Sequence, residues 1–407
     1  MRVFYFTEQP YPEAWLKDVK SLRVTLPNEL CDPAVAADRY HDYLDQWMLA
    51  DRLGLDIMVN EHHSTATCVS PSVNLTLGIL ARITKRARLL SLGVPLPNRP
   101  DPLRVAEEMS VIDVLSRGRL EMGFVKSVAY EVPVALTNPV RMMDRLWEAH
   151  DLILKAMTTR DGPFSWEGDY FHYRNVNIWP RPFQAPHPPV WITASSASSV
   201  RAIAQRGYVV ATFMSGYGAK ALFDAYRETR VEMGKAPPPA DRFGYCALVA
   251  LADTEAEAMR RADLISEYVR TTTIVSEQFK YPPGYAGVEA DTKRLQLGTA
   301  ADFRTIAGVG GRRVTFANAS SADLVASGCM FAGTPAQVVR QILDFSDALG
   351  GIGNFLLMGH GGLLSQADAL DNIRLLGERV LPALRAASAD GLVPDVAAKE
   401  KRSALSA

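Results

Sequence analysis

The stretch VNEHHST, residues 59–65, sets Glu61, His62 and His63 side by side at the end of an apolar run, in a chain with only seven histidines. A carboxylate beside two imidazoles can bind a metal, move a proton or simply pack. Successive side chains of an extended chain point to opposite sides. Glu61 and His63 therefore share one side and His62 takes the other, which argues against one metal held by both histidines. The HExxH spacing is absent and no cysteine stands near in a zinc pattern, so no metal is expected. A histidine exchanges protons near neutrality. His62 is read as the proton-handling candidate, with Glu61 beside it, and His63 as a hydrogen-bonded structural residue.

A second set of residues suits an anion. ASSASSVRAIAQRG carries Ser195, Ser196, Ser198 and Ser199 where a strand passes into a helix. Free backbone N–H groups, hydroxyls and the helix dipole there favour negative charge, although one serine acting as an N-cap would explain the position equally well. Lys126 ends an apolar strand, where a cation needs a partner or a ligand. Arg141 opens a helix, where a cation opposes the dipole unless an anion is near. Two such cations and a serine-rich helix start fit one phosphate group better than separate surface salt bridges. His360 lies in MGHGG, where the glycines either admit a ligand close to the backbone or form a plain turn.

These residues must be positioned by a regular frame. Eight apolar runs read as strands: 3–6, 54–60, 87–97, 119–125, 189–194, 208–213, 243–251 and 354–358. Helical patterns separate them, among them 34–53, a helix opened by Ser70-Pro71, 102–118 closed by Gly118, 141–157, 197–206, 219–233, 254–269, 334–350 and 367–387. Strands that are apolar throughout imply a parallel sheet covered on both faces. Eight such units predict an α/β TIM (β/α)8 barrel. A doubly wound open sheet is the alternative, weakened because no GxGxxG follows the first strand. Two segments break the rhythm: an aromatic, hairpin-like excursion at 162–186 and a lid-like insertion at 270–330. The reading is one domain over 1–387 with a flexible tail at 388–407. In a barrel of this kind the active site lies at the C-terminal strand ends, which is where Glu61, His62, Lys126 and Ser195 fall.

Composition narrows the function classes. Of 407 residues 48% are hydrophobic, and the net charge is −1 with no basic stripe, so neither nucleic acid nor a membrane surface is expected as a partner. The four cysteines are scattered without a CxxC pair, which fits a reduced, cytoplasmic setting. The opening MRVFYFTEQP turns polar too soon for a signal peptide, and no apolar run approaches membrane-spanning length.

GLDIMVNEHH, LGVPLPNRPDPLRVAEEMSVIDVLSRGRLEMGF, PPVWITASSASSVRAIAQRG, AGTPAQVV and GIGNFLLMGHGG occur in order, and together they resemble the bacterial luciferase-like flavin-dependent monooxygenases. The resemblance runs from residue 1 to about 387. It implies FMN, used as FMNH2 supplied by a separate flavin reductase, and molecular oxygen as cosubstrate. Oxygen adding at the flavin C4a position would give the (hydro)peroxide that oxygenates a small organic, apolar substrate. His62 matches the family's active-site histidine and Glu61 the acid beside it. Lys126 and Arg141 match cationic phosphate-binding positions, and Ser195, Ser196 and Ser199 fall in the phosphate loop. Gly93 stands where members often carry a non-proline cis peptide. Tyr130-Glu131 resemble the usual downstream tyrosine and acid, at shifted spacing.

Departures matter. Lysine at 126 keeps the charge of the usual arginine and loses its fork, and Val125 replaces the reactive cysteine of luciferases. Light emission is not expected; hydroxylation, epoxidation or Baeyer–Villiger insertion is. The other readings are a deazaflavin-dependent dehydrogenase on the same barrel and a non-catalytic flavin-binding partner subunit. A homodimer is expected, with the helices after the second and third strands as the candidate contact.

Overall fold

The computed structural model describes residues 1–15, 18–286, 292 and 305–387. Its centre is a closed barrel of eight parallel strands: β1 Arg2–Phe6, β2 Asp56–Val59, β3 Leu89–Pro95, β4 Leu120–Val125, β5 Val190–Thr193, β6 Val209–Phe213, β7 Phe243–Leu251 and β8 Asn354–Met358. Each strand pairs with the next in sequence, and β8 returns to β1, with Phe6 opposite Met358 on one side and Met58 on the other. The eight predicted strands are thus the eight barrel staves.

The strands are apolar throughout because both faces are buried. Val3 and Tyr5 of β1, Ile57 and Val59 of β2, and Phe355 and Leu357 of β8 pack outward under the helices. Phe4 and Phe6, Met58, and Leu356 and Met358 fill the barrel interior. Continued past β2, this alternation brings Asn60 and His62 inward and turns Glu61 and His63 toward the helices.

Helices α1 Pro33–Arg52, α2 Val73–Ile83, α3 Pro102–Ser116, α4 Met142–Thr158, α5 Ala197–Arg206, α6 Ala219–Glu232, α7 Glu255–Thr271, α8 Pro335–Ala348 and α9 Gln366–Leu375 surround the barrel. Caps stand where the sequence signals them: Asp32 accepts from the Ala34 amide, Asp101 from Arg104 and Thr254 from Glu257, each at a helix N-terminus. One start is corrected. Ser70-Pro71 do not open α2, since the Ser70 hydroxyl donates to the Asn60 carbonyl (2.9 Å) and the helix begins at Val73. Its first amide is satisfied by the Glu61 carboxylate at 3.1 Å, a cap delivered from the end of β2.

The aromatic excursion is an antiparallel hairpin, Phe164–Glu167 with His172–Val176. The Glu148 carboxylate of α4 holds it, accepting from the Tyr170 and Phe171 amides and from the Trp166 indole. Within 270–330 the described residues form a short hairpin, Thr305–Ala307 with Arg313–Thr315, and a capped turn of helix, Ser321–Ala326. Part of that predicted insertion, and the predicted tail 388–407, lie outside the described residues. A strand absent from the expectation, Met330–Gly333, pairs with Leu248–Leu251 of β7, beyond the part of β7 that pairs with β6.

Candidate active site

The C-terminal ends of the strands surround a cavity of about 970 Å³, within the size range of cofactor and small-molecule sites. Glu8 enters from beyond β1, Asn60 to His62 from β2, Gly93 from β3, Lys126 to Val128 from β4, Ser195 from β5 and Met214 and Ser215 from β6. Tyr268 and Thr272 come from α7. Tyr285, Thr305, Ile306 and Phe316 of the insertion line the same space and roof it.

His62 sits between two carboxylates. Its Nδ1 is 3.1 Å from Glu131 Oε1, and its Nε2 is 3.9 Å from Glu8 Oε2. A carboxylate can only accept, so Nδ1 carries the proton and Nε2 is the nitrogen available for exchange. Burial disfavours the charged ring, but the hydrogen bond and charge of Glu131, with the charge of Glu8, outweigh it and hold His62 above the ordinary histidine value. Glu131 shows the converse. Burial opposes its charge, yet His62, the Ser127 hydroxyl (2.6 Å) and the His63 amide (2.9 Å) pull it down to about 2. About a fifth of the His62 side chain stays accessible, so the ring is held without being sealed off.

Glu61 is a clamp. It receives Arg99 through both oxygens at 2.6 and 2.5 Å, binds His63 Nε2 at 2.9 Å and caps α2. Glu61 and His63 share the side opposite His62, as the pleat requires. Asn60 donates to Glu8 at 2.5 Å and so fixes the second acid near His62.

The Leu92–Gly93 peptide is cis. A Cβ at Gly93 would lie 2.7 Å from Val125 Cγ1 and 2.8 Å from the Gly123 carbonyl oxygen, so only glycine leaves this wall of the cavity flat. Lys126 donates to the Tyr285 carbonyl and lies 4.2 Å from the Tyr285 ring centre, while the Tyr285 hydroxyl donates to the Ser127 carbonyl at 2.7 Å. The roof is therefore fastened to the end of β4. Ser195 lines the cavity. Ser196 caps α5 by accepting from the Ser199 amide (3.3 Å), and its hydroxyl meets the Ser199 hydroxyl at 3.0 Å.

Ser196, Ser199 and three further predicted residues are not among those lining the cavity. Arg141 lines a separate cavity of about 420 Å³, is 62% exposed and pairs with Asp144 at 3.3 Å. Asp144, three residues on, is its ion-pair partner at the helix start. His360 is buried outside the cavity lining. It accepts from the Gly362 amide at 3.2 Å, and burial, with the charge of Arg39, pushes it down to about 4. Tyr130 lies behind His62, ring centres 6.3 Å apart, with its hydroxyl buried.

Glu8, Arg23 and Tyr285 join the site without having been singled out for it, as does Glu131, named only as the acid after Tyr130. Glu8 had a signal, its position at the end of the first strand. Glu131 had a weaker one, its place beside Tyr130. Arg23 and Tyr285 lie in irregular segments with no periodicity to orient them. Among the described residues no group of three or more His, Cys, Asp or Glu side chains could hold a metal ion, and no helix is long and apolar enough to cross a membrane.

The fold and the placement of this cavity define a (β/α)8 barrel with its site at the C-terminal mouth. The luciferase-like monooxygenase family matches residues 21–350, and the chain belongs to that family. Among curated relatives, an uncharacterised protein of Sinorhizobium fredii is 35% identical over 217 residues, 51% of this chain and 63% of that protein. The oxygenase component of a flavin-dependent trigonelline monooxygenase of Acinetobacter baylyi is 28% identical over 172 residues, 41% of this chain and 47% of that one. The chain thus spans less than two thirds of the length of either relative. Among solved structures, the oxygenating constituent of 3,6-diketocamphane monooxygenase from Pseudomonas putida, in complex with FMN, superposes with a TM-score of 0.69 at 18% identity, covering 94% of this chain and 98% of that one. An F420-dependent secondary alcohol dehydrogenase does so with a TM-score of 0.61 at 16% identity, covering 94% and 99%. These likenesses establish the fold.

Proposed function

We propose that the chain is the oxygenase component of a two-component monooxygenase, taking reduced FMN from a separate reductase and oxygenating a small organic substrate. The observation that carries this reading is the His62–Glu131 pair opening into the 970 Å³ cavity that the flat Gly93 wall also lines. The residues fit the cofactor. Gly93 leaves space for a planar ring, and Lys126, Ser195 and the N-terminal end of α5 offer a cation, a hydroxyl and free amides to a phosphate. Reduced FMN, when bound, supplies the two electrons that activate molecular oxygen. His62 Nε2 holds or returns the proton the reaction moves, while Glu131 keeps Nδ1 protonated and the ring in place. Tyr285 and Phe316 of the roof exclude water, which limits wasteful loss of the activated oxygen.

Anaerobic titration with FMNH2, followed by air and a candidate substrate, tests the reading. Tight FMNH2 binding and oxygen-dependent product support it. Tight binding of a reduced deazaflavin with no FMNH2 binding would favour the dehydrogenase reading that the F420-dependent neighbour represents.

A homodimer belongs to the same proposal. Leu75 and Ile79 of α2 and Val111, Val114 and Leu115 of α3 are exposed apolar residues on adjacent helices. Light scattering of Leu75→Glu with Leu115→Glu should give a monomer where the native chain gives a dimer; an unchanged mass would exclude this face.

A further inference from the structure

Arg23 is a buried arginine whose charge is not answered by any described carboxylate. It is 6% exposed and lines the cavity, and its Nε is buried with no hydrogen-bond partner. The acids around it are engaged elsewhere. Glu8 holds Asn60 and faces His62. Glu131 holds His62, Ser127 and the His63 amide. Glu61 holds Arg99. A buried guanidinium is costly unless an anion meets it, and its planar fork suits a carboxylate through two parallel bonds.

The backbone carries this side chain deliberately. Ser21 Oγ donates to the Arg23 carbonyl at 2.6 Å and accepts from the Arg23 amide at 3.1 Å. The Val24 amide reaches the Ser64 carbonyl at 2.6 Å, and Ala66 reaches Leu22 at 3.1 Å. The Leu22 amide donates to Ile274 at 3.0 Å. Two other segments, around residues 64–66 and 274, thus hold residues 21–24. The guanidinium lies 4.3 Å over the Tyr130 ring, which contributes cation–π attraction. The Tyr130 hydroxyl is itself buried with no hydrogen-bond partner, a second polar atom there awaiting one.

We propose that Arg23 is the substrate-recognition residue of this cavity, binding a carboxylate on an otherwise apolar substrate. Arg23 and His62 line the same cavity and both lie against the Tyr130 ring, so a carboxylate held at Arg23 keeps the rest of its molecule in the space that His62 faces. The proposal deepens the oxygenase reading and rests on it for the reaction, though carboxylate binding is measurable on its own.

Calorimetry on the FMN-saturated chain compares acetate, hexanoate, benzoate and 3-phenylpropanoate with the corresponding carboxamides. If FMN does not bind, the same comparison is made on the flavin-free chain; the oxygenase reading itself stands or fails by the anaerobic FMNH2 titration. At least one acid should bind tenfold or more tighter than its amide, and Arg23→Gln should reduce that preference to within twofold while leaving FMN affinity unchanged. Equal affinity for acid and amide throughout, no acid binding, or a preference that survives Arg23→Gln would overturn the proposal. Should Arg23→Gln fail to fold, judged by circular dichroism, Arg23→Lys carries the test. A threefold or greater loss of preference supports the proposal, and no change overturns it.

Discussion

The two ends of the barrel each bury a carboxylate held near pH 2, and they use it differently. At the N-terminal end Glu121 receives Arg2 at 2.7 Å, Arg88 at 2.9 Å and the Trp191 indole at 2.6 Å. Burial opposes its charge, and the two guanidinium groups overcome it and pull it down to about 2. Every partner there is fixed, since arginine does not titrate in proteins. At the C-terminal end Glu131 is held as low, but by a histidine whose second nitrogen faces a cavity. One end is a fully answered charge network that fastens β1, β3, β4 and β5 together. The other turns a protonatable histidine toward a cavity, beside a buried guanidinium that meets no described carboxylate. Charge that is completely satisfied serves stability; charge left partly unanswered at a barrel mouth serves binding and proton transfer.

The largest expected effect tests the closed end. Glu121→Gln leaves two arginines facing a neutral group. Because Arg2 and Arg88 are about a third exposed, the loss should be about 3 kcal/mol, the low end for a broken buried pair. Urea unfolding measures it, and FMN affinity of the folded protein should not change. Glu131→Gln should invert that pattern. Product formation should fall about 100-fold, the low end of general acid–base effects, with a smaller loss of stability. Equal stability losses at the two ends would erase the contrast.

Lys126→Ala should weaken FMN binding about tenfold, the order of one charge-assisted contact, read by fluorescence quenching. The pH dependence of stability separates the ends further. His62 is raised in the folded chain, so its contribution is complete below about 6.5 and is lost as pH rises through the folded value. Glu131 is lowered, so its contribution is present above about 4.5 and is lost as pH falls toward 2. The stability difference between native chain and His62→Asn should therefore be greatest between about pH 4.5 and 6.5 and shrink toward pH 9. The Glu121→Gln penalty should stay flat from pH 5 to 9. The smallest effect belongs to Arg141→Ala, which should leave FMN affinity within about twofold, because Arg141 answers Asp144 at the surface.

Much of this was legible in the sequence. Eight strands buried on both faces could be counted because their apolar runs are unbroken. The opposite orientations of His62 and His63 follow from the pleat alone. Other parts were hidden for physical reasons. Met330–Gly333 is four residues long, too short to carry a period. The start of α2 is capped by Glu61 from twelve residues upstream, so local cap signals pointed to Ser70 instead. Arg141 stands at a helix start as its context predicted, but it lines a separate cavity, and which cavity a residue reaches is not written in its local pattern. The meeting of Lys126 with Tyr285, and of Arg23 with Tyr130, depends on chain closure over more than a hundred residues, which no local pattern encodes.

In the proposed function His62 works on the proton and other residues hold the cofactor. Its most direct test is His62→Asn, measured for FMNH2 affinity by anaerobic titration and for oxygen-dependent product in one preparation. Native FMNH2 affinity is expected, with product lowered by about 100-fold or more. Native product yield, or loss of FMNH2 binding with product per bound flavin unchanged, would contradict it.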